Sequence, residues 1–139
     1  MATFNKTNQF VEDIGKAVHN FGTHQLKVAL TNIAPVAANA TYAALTSPLA
    51  TTNLSGANPF NVTTTSYTQT SGTASLVLVD LTLTATGAVG PFRYIALYND
   101  TPTSPADPLI GWYDYGSSVT MAAAETFLID FAATTLTLV

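Results

Sequence analysis

Two histidines and a pair of serines are the side chains with the chemistry of a hydrolytic site. His19 and His24 lie five residues apart, and Ser117 and Ser118 follow Gly116. A nucleophilic site needs a nucleophile, a base and a group that orients the base. No nucleophile-elbow pattern surrounds the serines, and the chain has no cysteine. The sequence therefore predicts a protein that is not an enzyme.

The same histidines are the candidate ligands of a zinc ion, but a spacing of five residues is not typical of zinc sites. Asn99, Asp100 and Asp107 supply oxygens in or beside one loop, without the spacing of a calcium-binding EF-hand. Turn formation beside proline is the favoured explanation for Asp100 and Asp107. We expect no cofactor, with calcium at this loop as the alternative.

Arg93 is the only cation in the last hundred residues. A strand position favours a cross-strand pair with Asp80, Asp114 or Asp130, and a pair between subunits is the alternative.

Five aromatic residues fall on neighbouring predicted strands: Tyr94, Tyr98, Trp112, Tyr113 and Tyr115. Such a cluster fills a core, or it stacks a sugar or anchors a partner.

Charge is scarce along the whole chain. Only 9% of the 139 residues are charged, whereas an average soluble domain has about 25%. The 52 residues from Val28 to Val79 carry no charge, and 45 residues of the chain are threonine or alanine. Such a surface costs little to desolvate, so we expect other subunits to cover it; the alternative is a weakly charged monomer. Four cations argue against nucleic-acid binding.

No apolar run approaches the 18 residues of a membrane-spanning helix. The first residues lack the pattern of a signal peptide, so we expect synthesis in a cytoplasm and no membrane partner.

One amphipathic helix is predicted over residues 8–21. Its apolar stripe comprises Phe10, Val11, Ile14, Ala17, Val18 and Phe21, and Gly22 is the expected terminator. Its polar face, which includes Asp13, is expected to be solvated.

Period-two patterns predict about eight short strands after the helix. The clearest are 74–86, where Val77, Val79, Leu81 and Leu83 form the expected core face, and 92–98, whose two apolar faces indicate a central strand. Residues 60–70 favour an exposed strand, and residues 32–60 a long irregular excursion. Further strands are predicted at 26–31, 109–115, 117–121, 125–131 and 134–139. The sequence predicts one all-β domain over residues 1–139, an antiparallel β-sandwich or jelly-roll-like barrel, with an N-terminal arm and helix at 1–22.

Two spans resemble small structural proteins of tailed bacteriophages: FVEDIGKAVHNFGTHQLKVALTNIAP and GPFRYIALYNDTPTSPADPLIGWYDYGSSVTMAAAETFLIDF. Together they cover about half of the chain. The resemblance implies a virion component on the outer capsid surface, most like a capsid decoration (cement) protein that binds across junctions between subunits of the major capsid protein. It also fits a tail- or fibre-associated protein that binds host glycan, and it implies no catalytic residue.

Five residues are the candidate contacts with the capsid or with other copies of the chain: Phe4, Lys6, Phe10, Lys16 and Trp112. Residues 1–27 hold three of the four cations and two phenylalanines expected to be exposed, which suits an acidic, partly apolar shell surface. The alternative is that this segment packs on its own domain and that loops meet the capsid. We expect a homo-oligomer, a trimer, with residues 32–70 contributing to its contacts.

Overall fold

The computed structural model describes residues 2–139. One helix, α1 (Asn8–Gly15), follows the first strand, and a single turn of 3₁₀ helix spans Tyr42–Ala44. The strands are β1 (Phe4–Lys6), β2 (Leu26–Thr31), β3 (Asn61–Val62), β4 (Thr64–Thr70), β5 (Thr73–Leu78), β6 (Leu81–Thr84), β7 (Val89–Asn99), β8 (Leu109–Met121), β9 (Thr126–Ile129) and β10 (Leu136–Leu138).

The strands form three antiparallel sheets around one main core. The largest has the order β1-β8-β7-β2-β3, and the others are β10-β5-β4 and β6-β9. Val28 and Ile95 of the first sheet share a buried cluster with Leu76 of the second and Ile129 of the third. The predicted all-β, antiparallel sandwich with one early helix is therefore confirmed.

Strand β7 lies in the centre of the large sheet and is covered on both faces. It pairs with β2 along one edge and with β8 along the other. Ile95 and Leu97 point into the main core, whereas Ala96 and Tyr98 belong to a second buried cluster on the opposite face. The central position predicted for residues 92–98 is confirmed.

Part of the irregular excursion over residues 32–60 covers that opposite face, whereas its residues Leu54 and Phe60 belong to the main core. Leu45 of the excursion packs with Ala29 and Ala96 of the sheet. Small side chains on two adjacent strands let the excursion approach the sheet closely. The predicted excursion is therefore confirmed, and it has a structural role as the cover of the outer face.

The strand predicted over residues 74–86 is two strands in two sheets. Leu76 and Leu78 are the buried residues of β5, whereas Val79 is 50% exposed. The chain leaves one sheet at Val79 and Asp80 and enters another at β6, where Leu83 is buried. The predicted continuous apolar face is wrong because the side-chain alternation restarts in each sheet.

Residues 109–121 show the reverse difference. The two strands predicted there form the single strand β8, in which Gly116 adopts a positive φ of 97° at a shift of the β7–β8 register between the pairs Phe92–Val119 and Tyr94–Asp114. Glycine reaches this conformation without a steric penalty.

The helix ends at Gly15, well before the predicted end at residue 21. Ala17 takes a left-handed φ of 58°, and its N–H donates to the carbonyl of Ile14. The N–H of Val18 donates to the carbonyl of Asp13. These two bonds form a Schellman motif with alanine at the position that glycine usually occupies.

The early end of the helix also changes its buried face. Phe10 and Asp13 are buried, and Val11 is exposed. Phe21 reaches the core from the loop that follows. The predicted stripe of six apolar residues and the predicted solvation of Asp13 are therefore wrong.

Replacing Ala17 by glycine should stabilise the protein. Alanine in the left-handed region costs about 1 kcal/mol, which exceeds the extra unfolded-state entropy of glycine. We expect the free energy of unfolding of Ala17→Gly, measured in urea, to rise by about 0.5 kcal/mol. Ala34→Gly, at an exposed position without a positive φ, should lower it. A decrease for both variants would contradict the assignment of the helix end.

Candidate functional site

The N-terminal arm packs on its own domain. Strand β1 pairs with β8 at the edge of the large sheet, with Phe4 opposite Tyr113. The two rings lie 5.0 Å apart. Gly111 leaves room for the arm, since a Cβ there would lie 2.6 Å from Cζ of Phe4. Phe4 is therefore half-buried, and only the exposed part of its side chain can contact a partner.

Phe10 is fully buried and is not a surface contact. Its ring lies 5.2 Å from His19 and 6.2 Å from Phe21, and it belongs to the main core. The expected exposure of Phe10 is wrong because α1 turns this residue inward.

Three of the four cations already have carboxylate partners. Lys16 pairs with Glu12 one helical turn away, and Lys27 pairs with Asp100 at 2.9 Å. Within residues 2–139, Lys6 is the one cation without a carboxylate oxygen inside 4 Å. It is exposed on an edge strand, so it is the predicted contact residue with an unused charge.

Arg93 forms the predicted cross-strand pair with Asp114. Its Nε and Nη2 donate to the two carboxylate oxygens at 2.7 and 2.9 Å. The geometry is bidentate, which is the strongest arrangement for this pair. The guanidinium holds the pKa of the Asp114 carboxyl below its usual range.

The predicted aromatic cluster is divided between the two faces of the large sheet. Trp112 is half-buried with Tyr98 on the outer face, whereas Tyr113 points into the main core. Adjacent residues of a strand point to opposite faces, so Trp112, Tyr113 and their neighbours cannot form one stacking platform.

Much of the uncharged stretch is on the surface. Ile33 and Val36 are 51% and 56% exposed. Strand β4 lies at the edge of its sheet, and most of its side chains are exposed. An open edge normally carries charges or proline that prevent pairing with another chain, and this one carries neither.

The two histidines converge on one buried amide, an arrangement that sequence reasoning did not predict. The N–H of Asn20 donates to Nδ1 of His24 at 3.2 Å. Asn99 Nδ2 donates to Nδ1 of His24 at 2.9 Å and to Nδ1 of His19 at 3.2 Å. The N–H of Thr101 donates to Asn99 Oδ1. Because both Nδ1 atoms accept, the proton of each neutral imidazole lies on Nε2.

This cluster joins the loop after α1 to the end of β7. Asn99 is fully buried at the end of β7. It directly follows the apolar run 92–98, which is the one sequence signal that could have revealed it. His19 is buried, and its Nε2 has no hydrogen-bond partner; Oδ2 of the buried Asp13 also has none. Burial lowers the pKa of His19 to about 4, although Asp13 opposes this shift. His19 is therefore neutral near pH 7 and contributes a buried structural contact to the cluster.

The candidate calcium ligands Asn99, Asp100 and Asp107 lie in or beside one loop, and at least two of them have structural partners. Asn99 holds the histidines, and Asp100 holds Lys27. Asp107 has a left-handed φ of 49°, and burial raises the pKa of its carboxyl. Among residues 2–139, no three His, Asp or Glu side chains are placed to hold a metal ion.

The serines do not join the histidines. Ser118 Oγ donates to Oδ1 of Asn32 at 2.7 Å, on the rim of the large sheet. Within residues 2–139, His19 forms no hydrogen bond with a hydroxyl group.

No helix within residues 2–139 has the length and apolar character needed to cross a membrane. Comparisons with family models, curated proteins and solved structures gave no match to this chain.

Acid should weaken the fold through His19. The pKa of His19 is about 4 in the folded protein against an ordinary value of 6.5, so the unfolded chain binds a proton between these values and the folded chain does not. The free energy of unfolding should therefore fall as the pH falls through this window, by up to roughly 3 kcal/mol. Urea unfolding near neutrality and near the lower limit of the window measures the difference.

His19→Gln keeps a side-chain acceptor for Asn99 and removes the titrating group, so its stability should depend less on pH. His24→Gln is the matched control and should keep most of the dependence. An unchanged pH dependence in His19→Gln would show that another group carries it.

Proposed function

We propose that the protein is a structural component of a phage virion that decorates the outer capsid surface. In this role it binds across junctions between subunits of the major capsid protein and stabilises the shell. The observation that supports the proposal most is the charge-free stretch from Val28 to Val79. Ile33, Val36 and most side chains of β4 belong to this stretch and are exposed.

A neutral surface suits permanent contact with other subunits. Burying an unpaired charge is costly, and the cores of protein interfaces are depleted of charged residues. Threonine and alanine side chains bring neither a charge nor much side-chain entropy to such a contact. The exposed Ile33 and Val36 add apolar area that a partner can cover.

Lys6 supports an electrostatic component at the N-terminal edge. It is exposed and has no carboxylate partner within the described residues, so an acidic shell surface can attract it. Phe4 is half-buried beside it and supplies a limited apolar contact. Several such modest contacts on one oligomer act together, so no single interface needs to be strong.

The expected homo-oligomer, a trimer, uses the open edge of β4. Its backbone N–H and C=O groups can pair with a strand of a second copy. The threonine side chains of β4 suit cross-strand contacts with another uncharged strand. The second edge of the same sheet is β10, which is also free of charge, so a β4-to-β10 contact can close a ring of copies.

A lysine on β4 should disrupt this oligomer. Thr68 is exposed near the middle of the strand, and a lysine there places an unpaired charge in the proposed interface. We expect Thr68→Lys to weaken self-association by at least tenfold, since the cost of an unpaired buried charge exceeds about 1.4 kcal/mol. Light scattering across a concentration series measures the change.

Thr126→Lys, at an exposed position of β9, is the matched control and should assemble normally. Because the chain has no cysteine, Thr68→Cys and Thr137→Cys can also be mixed and oxidised. A cross-link between these two variants supports the ring. A protein that remains monomeric in solution and on its particle would contradict self-association.

Decorated particles should release DNA at a higher temperature than bare ones. Each added contact must break before the shell opens, so binding stabilises the closed shell by linkage. The experiment compares particles of the phage that carries the gene, with and without the protein, under heat and low salt. Equal release temperatures would refute the capsid role.

Two lysine variants locate the contact. Lys6→Gln should weaken particle binding several-fold, most strongly at low salt. Lys16→Gln is the matched control, because Glu12 already neutralises Lys16. An effect of Lys16→Gln as large as that of Lys6→Gln would assign the contact to the helix instead of the edge strand.

A further inference from the structure

A cavity of about 300 Å³ opens on the outer face of the large sheet, between the sheet and the excursion. Its polar lining comes from Lys27, Tyr42, Thr51, Asn58, Asn61 and Tyr98. The volume is at the lower end of the range of ligand sites and suits one small ring.

The floor of the cavity is a row of three side chains across three strands. Lys27 of β2 lies opposite Asn61 of β3 on one side and opposite Tyr98 of β7 on the other. Residues in direct register on adjacent strands point to the same face. The pairing of β2 with both neighbours therefore brings an ammonium, an amide and a phenol together.

The walls combine apolar surface with an aromatic pair. Leu49, Pro59 and Phe60 line the cavity from the excursion. The rings of Tyr42 and Tyr98 lie 4.9 Å apart at an angle of 42°, and Tyr42 remains partly exposed. An aromatic ring beside polar groups is the usual composition of a site that orients a small polar ligand.

The hydrogen-bonding groups of the cavity require both donors and acceptors from a ligand. Asn58 is exposed and lines the cavity with a side-chain amide, whose oxygen accepts and whose nitrogen donates hydrogen bonds. Tyr98 is buried, and burial raises the pKa of its phenol, so its hydroxyl stays protonated and can donate. A hydroxyl group of a ligand can serve each of these groups, because it both donates and accepts.

The charge of the cavity favours a neutral ligand. Lys27 is its only cation, and Asp100 holds the ammonium at 2.9 Å. A phosphate or carboxylate would have to compete with that internal carboxylate, whereas an uncharged ligand would not.

From this arrangement we propose that the cavity between β2, β3, β7 and the excursion is a binding site for a neutral saccharide ring. The ring hydroxyls bond to Asn58, Lys27 and Tyr98, and one ring face packs against Tyr42. The site uses neither Lys6 nor β4, but its walls come from the uncharged stretch that also supports the capsid proposal, so the two roles are tested by separate experiments.

Titrations of the full-length protein with neutral methyl glycosides test the proposal. The probes are the methyl glycosides of glucose, galactose, mannose and N-acetylglucosamine, followed by amide chemical shifts and saturation transfer up to tens of millimolar. At least one probe should shift amides of β2, β3 and β7 around the cavity. Inorganic phosphate serves as the charged comparison and should bind more weakly than that glycoside.

Three variants localise the binding. Tyr98→Phe removes one hydroxyl and keeps the ring, and Asn58→Ala removes one exposed amide; each should weaken binding roughly fivefold, as expected for one hydrogen bond. Tyr94→Phe, on the same strand and face as Tyr98 but outside the cavity, should bind as the parent does. Thermal unfolding verifies that all three variants are folded.

Four outcomes would overturn the proposal: no binding of any glycoside, binding that Tyr98→Phe and Asn58→Ala leave unchanged, equal weakening by Tyr94→Phe, or tighter binding of phosphate. Particle decoration by Tyr98→Phe should be normal. If Tyr98→Phe no longer decorates particles but still binds glycoside, the capsid contact and the saccharide site are not independent. If only the capsid experiment fails, the saccharide test still stands.

Discussion

The pairing of β7 with β8 is the constraint on which the rest of the molecule depends. These are the two longest strands, of 11 and 13 residues, and every other strand of the large sheet attaches to one of them directly or through β2. Their alternation separates two environments. Inward residues such as Ile95 close the main core against the two small sheets, and outward residues such as Ala96 provide the shallow surface on which the excursion packs. The cavity exists because the excursion is held over this outer face without filling the space above Lys27.

The scarcity of charge determines how the ends of these strands are held. In place of large ion-pair networks, the structure uses single pairs at defined positions: Arg93 with Asp114, and Lys27 with Asp100. At the end of β7 a neutral amide replaces a charge altogether, because Asn99 bonds to two imidazoles and its backbone N–H donates to the carbonyl of Pro108. Such an amide satisfies several buried groups at no cost in ion desolvation, and burial at this point lowers the pKa of His19 and favours its neutral form. The fold at this point therefore depends on pH although its sequence is poor in titratable groups.

Local patterns predicted those parts of the fold that depend on one element alone. The apolar run 92–98 indicated a central strand, the period-two pattern at 125–131 indicated a strand that the structure has at Thr126–Ile129, and the single cation Arg93 indicated a cross-strand partner. Features set by distant contacts were not predictable in this way. The end of α1 depends on Ala17 in a conformation that alanine disfavours, and the break after Leu78 depends on which sheet each segment joins. The candidate sites were even harder to predict from the sequence. Phe10 was expected at the surface but is buried. The convergence of Lys27, Asn61 and Tyr98 follows from strand register, which periodicity does not specify.

An uncharged open edge is a liability unless a specific partner covers it. Strand β4 combines exposed threonines with a complete lack of charge, so its edge is available for the proposed self-association. A single geometry is favoured when the available edges belong to the same sheet, as β4 and β10 do, because pairing one with the other consumes both edges in a closed ring. The proposed saccharide cavity lies on the outer face of the opposite, five-stranded sheet. Assembly through the three-stranded sheet would therefore leave that face, and the cavity with it, open to solvent.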